Sequence, residues 1–150
     1  MHEIKYEKSF TVSGTPVPKG RPRVTRSGHA YTPKRTHDYE RHVVECYEAA
    51  LPGDEPIPAG VPVVVDIRCV MPYPKSATKK QRQHAEHTKK PDVDNLAKGI
   101  LDALNGRAWA DDSQIAALMI IKRYGDEPGV RVRWTPMTSD NLVAKEEGKK

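Results

Sequence analysis

The stretch Lys89-Lys90-Pro91-Asp92-Val93-Asp94-Asn95-Leu96-Ala97-Lys98-Gly99-Ile100-Leu101-Asp102-Ala103-Leu104-Asn105-Gly106, followed shortly by Asp111-Asp112, organises the reading of this chain. Leu96, Ile100, Leu101 and Leu104 recur at helical spacing, which predicts an amphipathic helix over Asp94–Asn105. Asp92 or Asp94 can cap its start, where acids suit the positive end of the helix dipole. Asn105-Gly106 supplies a left-handed terminus. Five aspartates lie between Asp92 and Asp112, against only Lys98 and Arg107, in a chain whose net charge is +5. Carboxylates packed this closely repel one another. A divalent cation is the simplest reason for a basic chain to gather them.

Working outward from this helix, Ser113–Tyr124 reads as a long strand with Ile115, Ala117, Met119 and Ile121 on one face. A turn at Asp126–Gly129 leads to a closing strand, Val130–Trp134, and the two strands are expected to form an antiparallel hairpin. Upstream, Val61–Met71 is rich in β-branched residues and is the strongest strand signal. Thr36–Leu51 carries Val43, Val44, Tyr47 and Leu51 at helical spacing and is ended by Pro52-Gly53. Ile4–Val12 alternates as a first strand, interrupted on its apolar face by Lys8, which places that point near an edge. Residues 13–35 are broken by prolines and glycines into a long basic loop. Pro72–Pro91 is a second basic stretch, in which Ala77–His87 could form a short exposed helix. The order predicts an α+β domain, a small mixed β-sheet of about four strands with two main helices packed on it. The domain is assigned to residues 1–136, and the polar residues 137–150 to a disordered tail.

At 150 residues the chain suffices for one core. Its hydrophobic share is 37% and it has a single Phe, so the core is expected to rest on Val, Ile, Leu and Tyr. A core this thin is often completed by a second subunit, which makes a homodimer the expected state. Cys46 and Cys69 lack metal-ligand spacing and suggest no disulfide framework. No apolar run approaches the about 20 residues of a membrane span, and the first residues show no signal-peptide pattern. A soluble, cytoplasmic protein with no membrane partner is expected.

The positive charge is clustered. Lys19, Arg21, Arg23, Arg26, Lys34 and Arg35 fall in one acid-free stretch, and Lys75, Lys79, Lys80, Arg82, Lys89 and Lys90 in another that contains only Glu86. Such clusters attract phosphates by Coulomb energy and counterion release, so the candidate DNA contacts are Lys19, Arg21, Arg23, Arg26, Lys34 and Arg35 of the first and Lys79, Lys80, Lys89 and Lys90 of the second. Asp94, Lys98 and Asp102 lie four apart on one helix face. Asp92, Asp94 and Asp112, with Asp111 beside it, form a candidate Mg²⁺ set, since Mg²⁺ needs only a few carboxylates beside water and phosphate. Lys98 would stabilise developing charge or orient water. The bland reading assigns the same residues to a helix cap, an ion pair and a turn.

The run Asp92-Val93-Asp94-Asn95-Leu96-Ala97-Lys98, then Leu101-Asp102-Ala103-Leu104-Asn105-Gly106, then Asp111-Asp112-Ser113-Gln114-Ile115, resembles the RusA family of Holliday junction resolvases, crossover junction endodeoxyribonucleases common in phages and prophages. The likeness is most specific over residues 90–124. It extends more loosely to the first strand and to the Gly14-Thr15-Pro16-Val17-Pro18-Lys19-Gly20-Arg21-Pro22-Arg23 opening of the basic loop. The resemblance implies a homodimer that binds four-way DNA junctions in recombination and repair, cutting two strands of like polarity with Mg²⁺ or Mn²⁺. It places the catalytic aspartates at Asp92, Asp94 and Asp112 and the active-site lysine at Lys98, with Asp111 ranked below Asp112. The lysine-rich segment 72–90 is longer than in the best-known members, which leaves the preferred branched substrate open. The competing readings are a non-catalytic DNA-binding module, which leaves the acids unexplained, and a metal-dependent nuclease without junction preference. A small-molecule phosphohydrolase would not need two basic clusters.

Overall fold

The computed structural model describes residues 4–139. Most of the predicted disordered tail, residues 140–150, therefore lies outside the described residues. Four strands form the main sheet: β1 (Lys8–Ser13), β4 (Val63–Pro72), β5 (Ile115–Gly125) and β6 (Gly129–Pro136). Their order across the sheet is β1-β6-β4-β5. Two helices, α1 (Lys34–Ala50) and α2 (Val93–Leu104), pack on one face. The domain is α+β, as the sequence predicts.

The basic loop contains a small antiparallel hairpin of β2 (Arg23–Val24) and β3 (Ala30–Tyr31). Gly28 occupies a left-handed conformation at its turn. The helix expected at Ala77–His87 is reduced to one 3-10 turn at Gln81–Gln83, none of whose residues is buried. With no apolar stripe to bury, nothing favours a longer helix there.

The expected β5–β6 hairpin does not form. β4 lies between the two strands, antiparallel to β6 and parallel to β5. The connection from β4 to β5 crosses over through α2, and such a crossover delivers the second strand parallel to the first. The assignment of faces on β5 is also corrected. Val63 pairs with Ile115 but Val64 with Ala117, so the register slips by one residue at Ala116. Beyond such a bulge every side chain changes face. Met119 and Ile121 therefore stand beside Asp66 and Arg68 on the helix-free face, while Ile120, Lys122 and Tyr124 turn toward the helices.

The core lies between the sheet and the helices. Val63, Val65, Ile67 and Cys69 of β4 meet Leu96, Ile100 and Leu104 of α2 and Val43 and Tyr47 of α1. Both tryptophans, Trp109 and Trp134, are fully buried and supply bulk not expected from the composition. They meet edge to face with ring centroids 6.1 Å apart. Lys8, the interruption in β1, reaches Asp54 at the sheet edge. Both cysteines are free, and burial pushes the Cys69 thiol up to about 12. No helix among the described residues is long and apolar enough to cross a membrane.

Candidate active site

Helix α2 begins at Asp92, which takes the extended N-cap conformation without using its side chain to cap the helix. Asp92 and Asp94 are both exposed, and neither carboxylate has a hydrogen bond or ion pair among the described residues. Lys98 lies one turn beyond Asp94 on the same face, also exposed and unpaired among the described residues. The ion pair that would explain it structurally does not form, because Asp102 is held by Lys19 at 3.1 Å. The approach to α2 is fixed by Lys122, whose ammonium donates to the carbonyls of Lys89 at 2.6 Å and Pro91 at 2.9 Å. On the other side the basic loop docks on the helix, with the Lys19 amide donating to the Asn95 carbonyl at 3.0 Å. Two carboxylates are thus aimed outward from a firmly held helix start.

The other acids lie past the far end of α2. Asp112 accepts from the indole of buried Trp109 at 2.7 Å, and its amide donates to the Asn105 side chain at 3.1 Å. Burial raises the Asp112 pKa, the Trp109 bond works against that rise, and Asp102 and Asp111 add to it. Asp111 caps the 3-10 turn Asp112–Gln114, accepting from the Ser113 amide at 3.0 Å and from the Ser113 hydroxyl. Those bonds hold its carboxyl below the ordinary range, the hydroxyl most of all. Gln114 completes the cap by accepting from the Asp111 amide at 2.8 Å. Its own amide donates to the carbonyls of Pro58 at 2.7 Å and Val61 at 2.9 Å. Asp111 is therefore committed to the turn, and Asp112 is the better placed of the pair to serve a ligand.

These two acidic groups do not meet within one chain, which corrects the expectation that Asp112 joins Asp92 and Asp94. They lie at opposite ends of α2, a helix of 12 residues, about 18 Å long at 1.5 Å per residue. Asp112 bonds to Asn105, the residue that ends the helix, so it is tied to the wrong end for convergence. Among the described residues no three His, Cys, Asp or Glu side chains are grouped closely enough to hold a metal ion. The Asp92–Asp94 pair suits a hard cation that takes few protein oxygens, but it is only part of a coordination sphere.

Arg21, Arg23 and Arg26 are exposed on and beside the β2–β3 hairpin. Lys34 and Arg35 are exposed in the first turn of α1, and Lys34 pairs with Asp38. Lys19 differs from the other basic residues. It is largely covered and bonds Glu40 at 2.6 Å as well as Asp102. Burial lowers its pKa, but the two carboxylates outweigh this and leave it raised. Lys19 thus ties the loop to both helices. Lys79 and Lys80 are exposed before the short 3-10 turn. Lys89 and Lys90 join Lys75 and Arg35 around a cleft that reaches Asp92.

Sequence reasoning missed Trp109, Asn105 and Gln114, which orient the distal acids, and Lys122, which anchors the helix start. Lys122 gave no usable signal, because the bulge that turns it toward the helices leaves no mark in the sequence.

The family model described as Endodeoxyribonuclease RusA matches residues 13–135. The chain is also 41% identical over 133 residues to the uncharacterized protein YqaN of Bacillus subtilis (strain 168), an alignment covering 82% of this chain and 92% of YqaN.

Proposed function

Because this chain belongs to the RusA family of endodeoxyribonucleases, we propose that it is a metal-dependent, homodimeric nuclease that resolves Holliday junctions and related branched DNA in recombination and repair. The observation that carries this reading is the pair Asp92 and Asp94. These are two exposed carboxylates without partners among the described residues, followed by Lys98, unpaired among the same residues, and surrounded by cationic loops. A cap or an ion pair would have satisfied those groups, and neither forms.

In this reading Asp92 and Asp94 hold Mg²⁺ or Mn²⁺. When bound, the metal supplies charge neutralisation at the phosphodiester and a more acidic water. Lys98 adds a fixed positive charge where the transition state gains negative charge. Arg21, Arg23, Arg26 and Arg35, with Lys79, Lys80, Lys89 and Lys90, grip the phosphate backbone. Such contacts position the DNA without reading its sequence.

The separation of the acids along α2 favours two chains per site. In a two-fold pair, Asp112 of a second copy can stand beside Asp92 and Asp94 of the first, completing two equivalent centres. Strand β5 offers a surface for pairing. It is an edge strand whose far end alone is bridged, by Ala85 and Glu86, and Leu118, Met119 and Ile121 before that bridge are 43%, 54% and 38% exposed. A long apolar edge strand is normally covered. Two centres related by a dyad suit a reaction that cuts two strands.

Cleavage of a four-way junction, compared with linear duplex of the same sequence, tests the proposal. Paired nicks in Mg²⁺ or Mn²⁺, none in chelator, and little cutting of the duplex are expected. Equal cutting of both substrates would favour a nuclease without junction preference, and junction binding without cutting would favour a DNA-binding module.

A further inference from the structure

Beside Asp92 lies a cleft of about 850 Å³, walled on one side by Thr15–Lys19 and on the other by the ends of β4 and β5 with the segment 72–91. Both walls are fastened. The loop wall is held by the Lys19 bonds to α1 and α2 and by the Gly20 amide, which donates to Thr36 Oγ1 at 3.0 Å. No side chain fits at Gly20, where a Cβ would stand 2.7 Å from that oxygen. The opposite wall is held by the Tyr124 amide on the Ala85 carbonyl at 2.8 Å, the Tyr73 hydroxyl on the His84 carbonyl at 2.8 Å, and Lys122.

The cleft has an apolar interior and a cationic rim. Met71, Tyr73 and Tyr124 line it, while Arg35, Lys75 and Lys89 stand exposed around it. Tyr73 and Tyr124 are stacked with centroids 5.0 Å apart, and His87 leans on Tyr124 at 4.6 Å. The Arg82 guanidinium covers the outer side of the ladder, 5.3 Å from the Tyr73 ring centre. His87 extends the aromatic wall, and burial, with the nearby Lys122 and Lys89, lowers its pKa. Among the described residues its buried Nδ1 meets no donor or acceptor of another residue.

Phosphates alone would need the rim but not this interior. Aromatic walls beneath a rim of cations are the chemistry of unpaired nucleotides, whose bases pack on rings while the backbone follows the positive charge. We infer that the cleft receives one unstacked base of the DNA strand held at Asp92 and Asp94, within a nucleotide or two of the phosphodiester that is cut. This rests on the nuclease reading above and adds a subsite to it. The base is packed against Tyr73, Tyr124 and His87, and its flanking phosphates meet Lys75, Lys89 and Arg35. A strand whose base can leave the stack, as at a branch point, fits the site. A continuous duplex does not, because its bases stay paired and stacked. Any preference for the base at the cut would arise in this cleft, since the phosphate contacts carry none.

The test places 2-aminopurine, in turn, at each nucleotide flanking the cut in a four-way junction, with the full-length wild-type chain and no divalent metal. Fluorescence should change on binding at one flanking position, as the base exchanges its stacked neighbours for the cleft wall, and not at positions several nucleotides away. Tyr124→Leu and His87→Ala, confirmed as folded by circular dichroism, should abolish that change. They should also cut about tenfold more slowly, the effect of losing one stacking partner, while gel-shift affinity is largely kept through the unaltered cations. Wild-type chain that cuts the junction without any position-specific change in fluorescence would overturn the cleft assignment and leave the nuclease reading standing. Wild-type chain that neither binds nor cuts branched DNA would overturn both.

Discussion

At its first turn α2 presents Asp92 and Asp94 to solvent without partners among the described residues, whereas past its last turn Asp111 and Asp112 are held by Ser113, Asn105 and the Trp109 indole. The same residue type is free at one end of the helix and wired at the other. A free carboxylate keeps its lone pairs available but must be ordered when a ligand arrives. A wired carboxylate is oriented in advance, with fewer lone pairs to offer. The free pair therefore suits a centre assembled on substrate, and the wired residue suits a fixed ligand brought to it. Neither end is a complete site, and α2 keeps the two apart in a single chain.

The largest effect is expected at the free end. Asp94→Asn should lower junction cleavage by about 10²- to 10³-fold, the scale of losing a group that stabilises transition-state charge. Binding measured by gel shift should be nearly unchanged, and wild-type cleavage by this variant in Mg²⁺ would break the assignment. Chelation of divalent metal should stop wild-type cleavage, with Mg²⁺ or Mn²⁺ restoring it. At the wired end, Trp109→Phe keeps most of the buried ring but removes the donor to Asp112. Cleavage should fall by about 10- to 100-fold, as when other residues that orient a metal ligand are changed. A wild-type rate would show that the wiring of Asp112 is incidental.

Two smaller effects sharpen the contrast. Arg21→Ala with Arg23→Ala should weaken junction binding and flatten the log–log salt slope by about 0.9 for each phosphate left without its cation. An unchanged slope would remove the β2–β3 hairpin from the interface. Asp112→Asn should stabilise the fold slightly at neutral pH, by about 0.5 kcal/mol at most, although it should stop cleavage. The Asp112 pKa is raised in the folded chain, chiefly by burial. Ionisation of Asp112 therefore costs stability as the pH rises through that pKa. Removing the charge should raise the melting temperature at pH 7, and the gain should vanish at a pH below the ordinary carboxylate range.

The local elements are largely legible in the sequence, and their long-range arrangement much less so. The Leu96, Ile100 and Leu104 stripe, Asn105-Gly106 and the β-branched run of β4 mark their structures through local physics. Which strand lies beside β5 depends instead on a crossover through α2, and two strands joined by a tight turn look like a hairpin until a third is placed between them. The faces of β5 are misread from the sequence because a bulge at Ala116 leaves no mark in an alternating pattern. At the site, residue types and spacing mark the acidic segment, and the family resemblance narrows it to the candidates Asp92, Asp94, Lys98 and Asp112. The separation of these acids is not readable, since it depends on where a rigid helix ends and on which end holds Asp112. The cleft wall is also hidden, because Tyr73, His87 and Tyr124 come from distant parts of the chain.

The division of the site between two chains is tested most directly by mixing two inactive variants. Asp94→Asn and Asp112→Asn chains, carrying different affinity tags, are co-expressed and purified through both tags in turn. If each centre combines Asp92 and Asp94 of one chain with Asp112 of the other, one of the two centres in the mixed dimer has all three aspartates. The mixed protein should then nick one strand of a four-way junction in Mg²⁺, while neither variant alone cuts. If the mixed protein is dimeric and binds the junction yet cuts no strand, the two ends of α2 do not meet across a dimer.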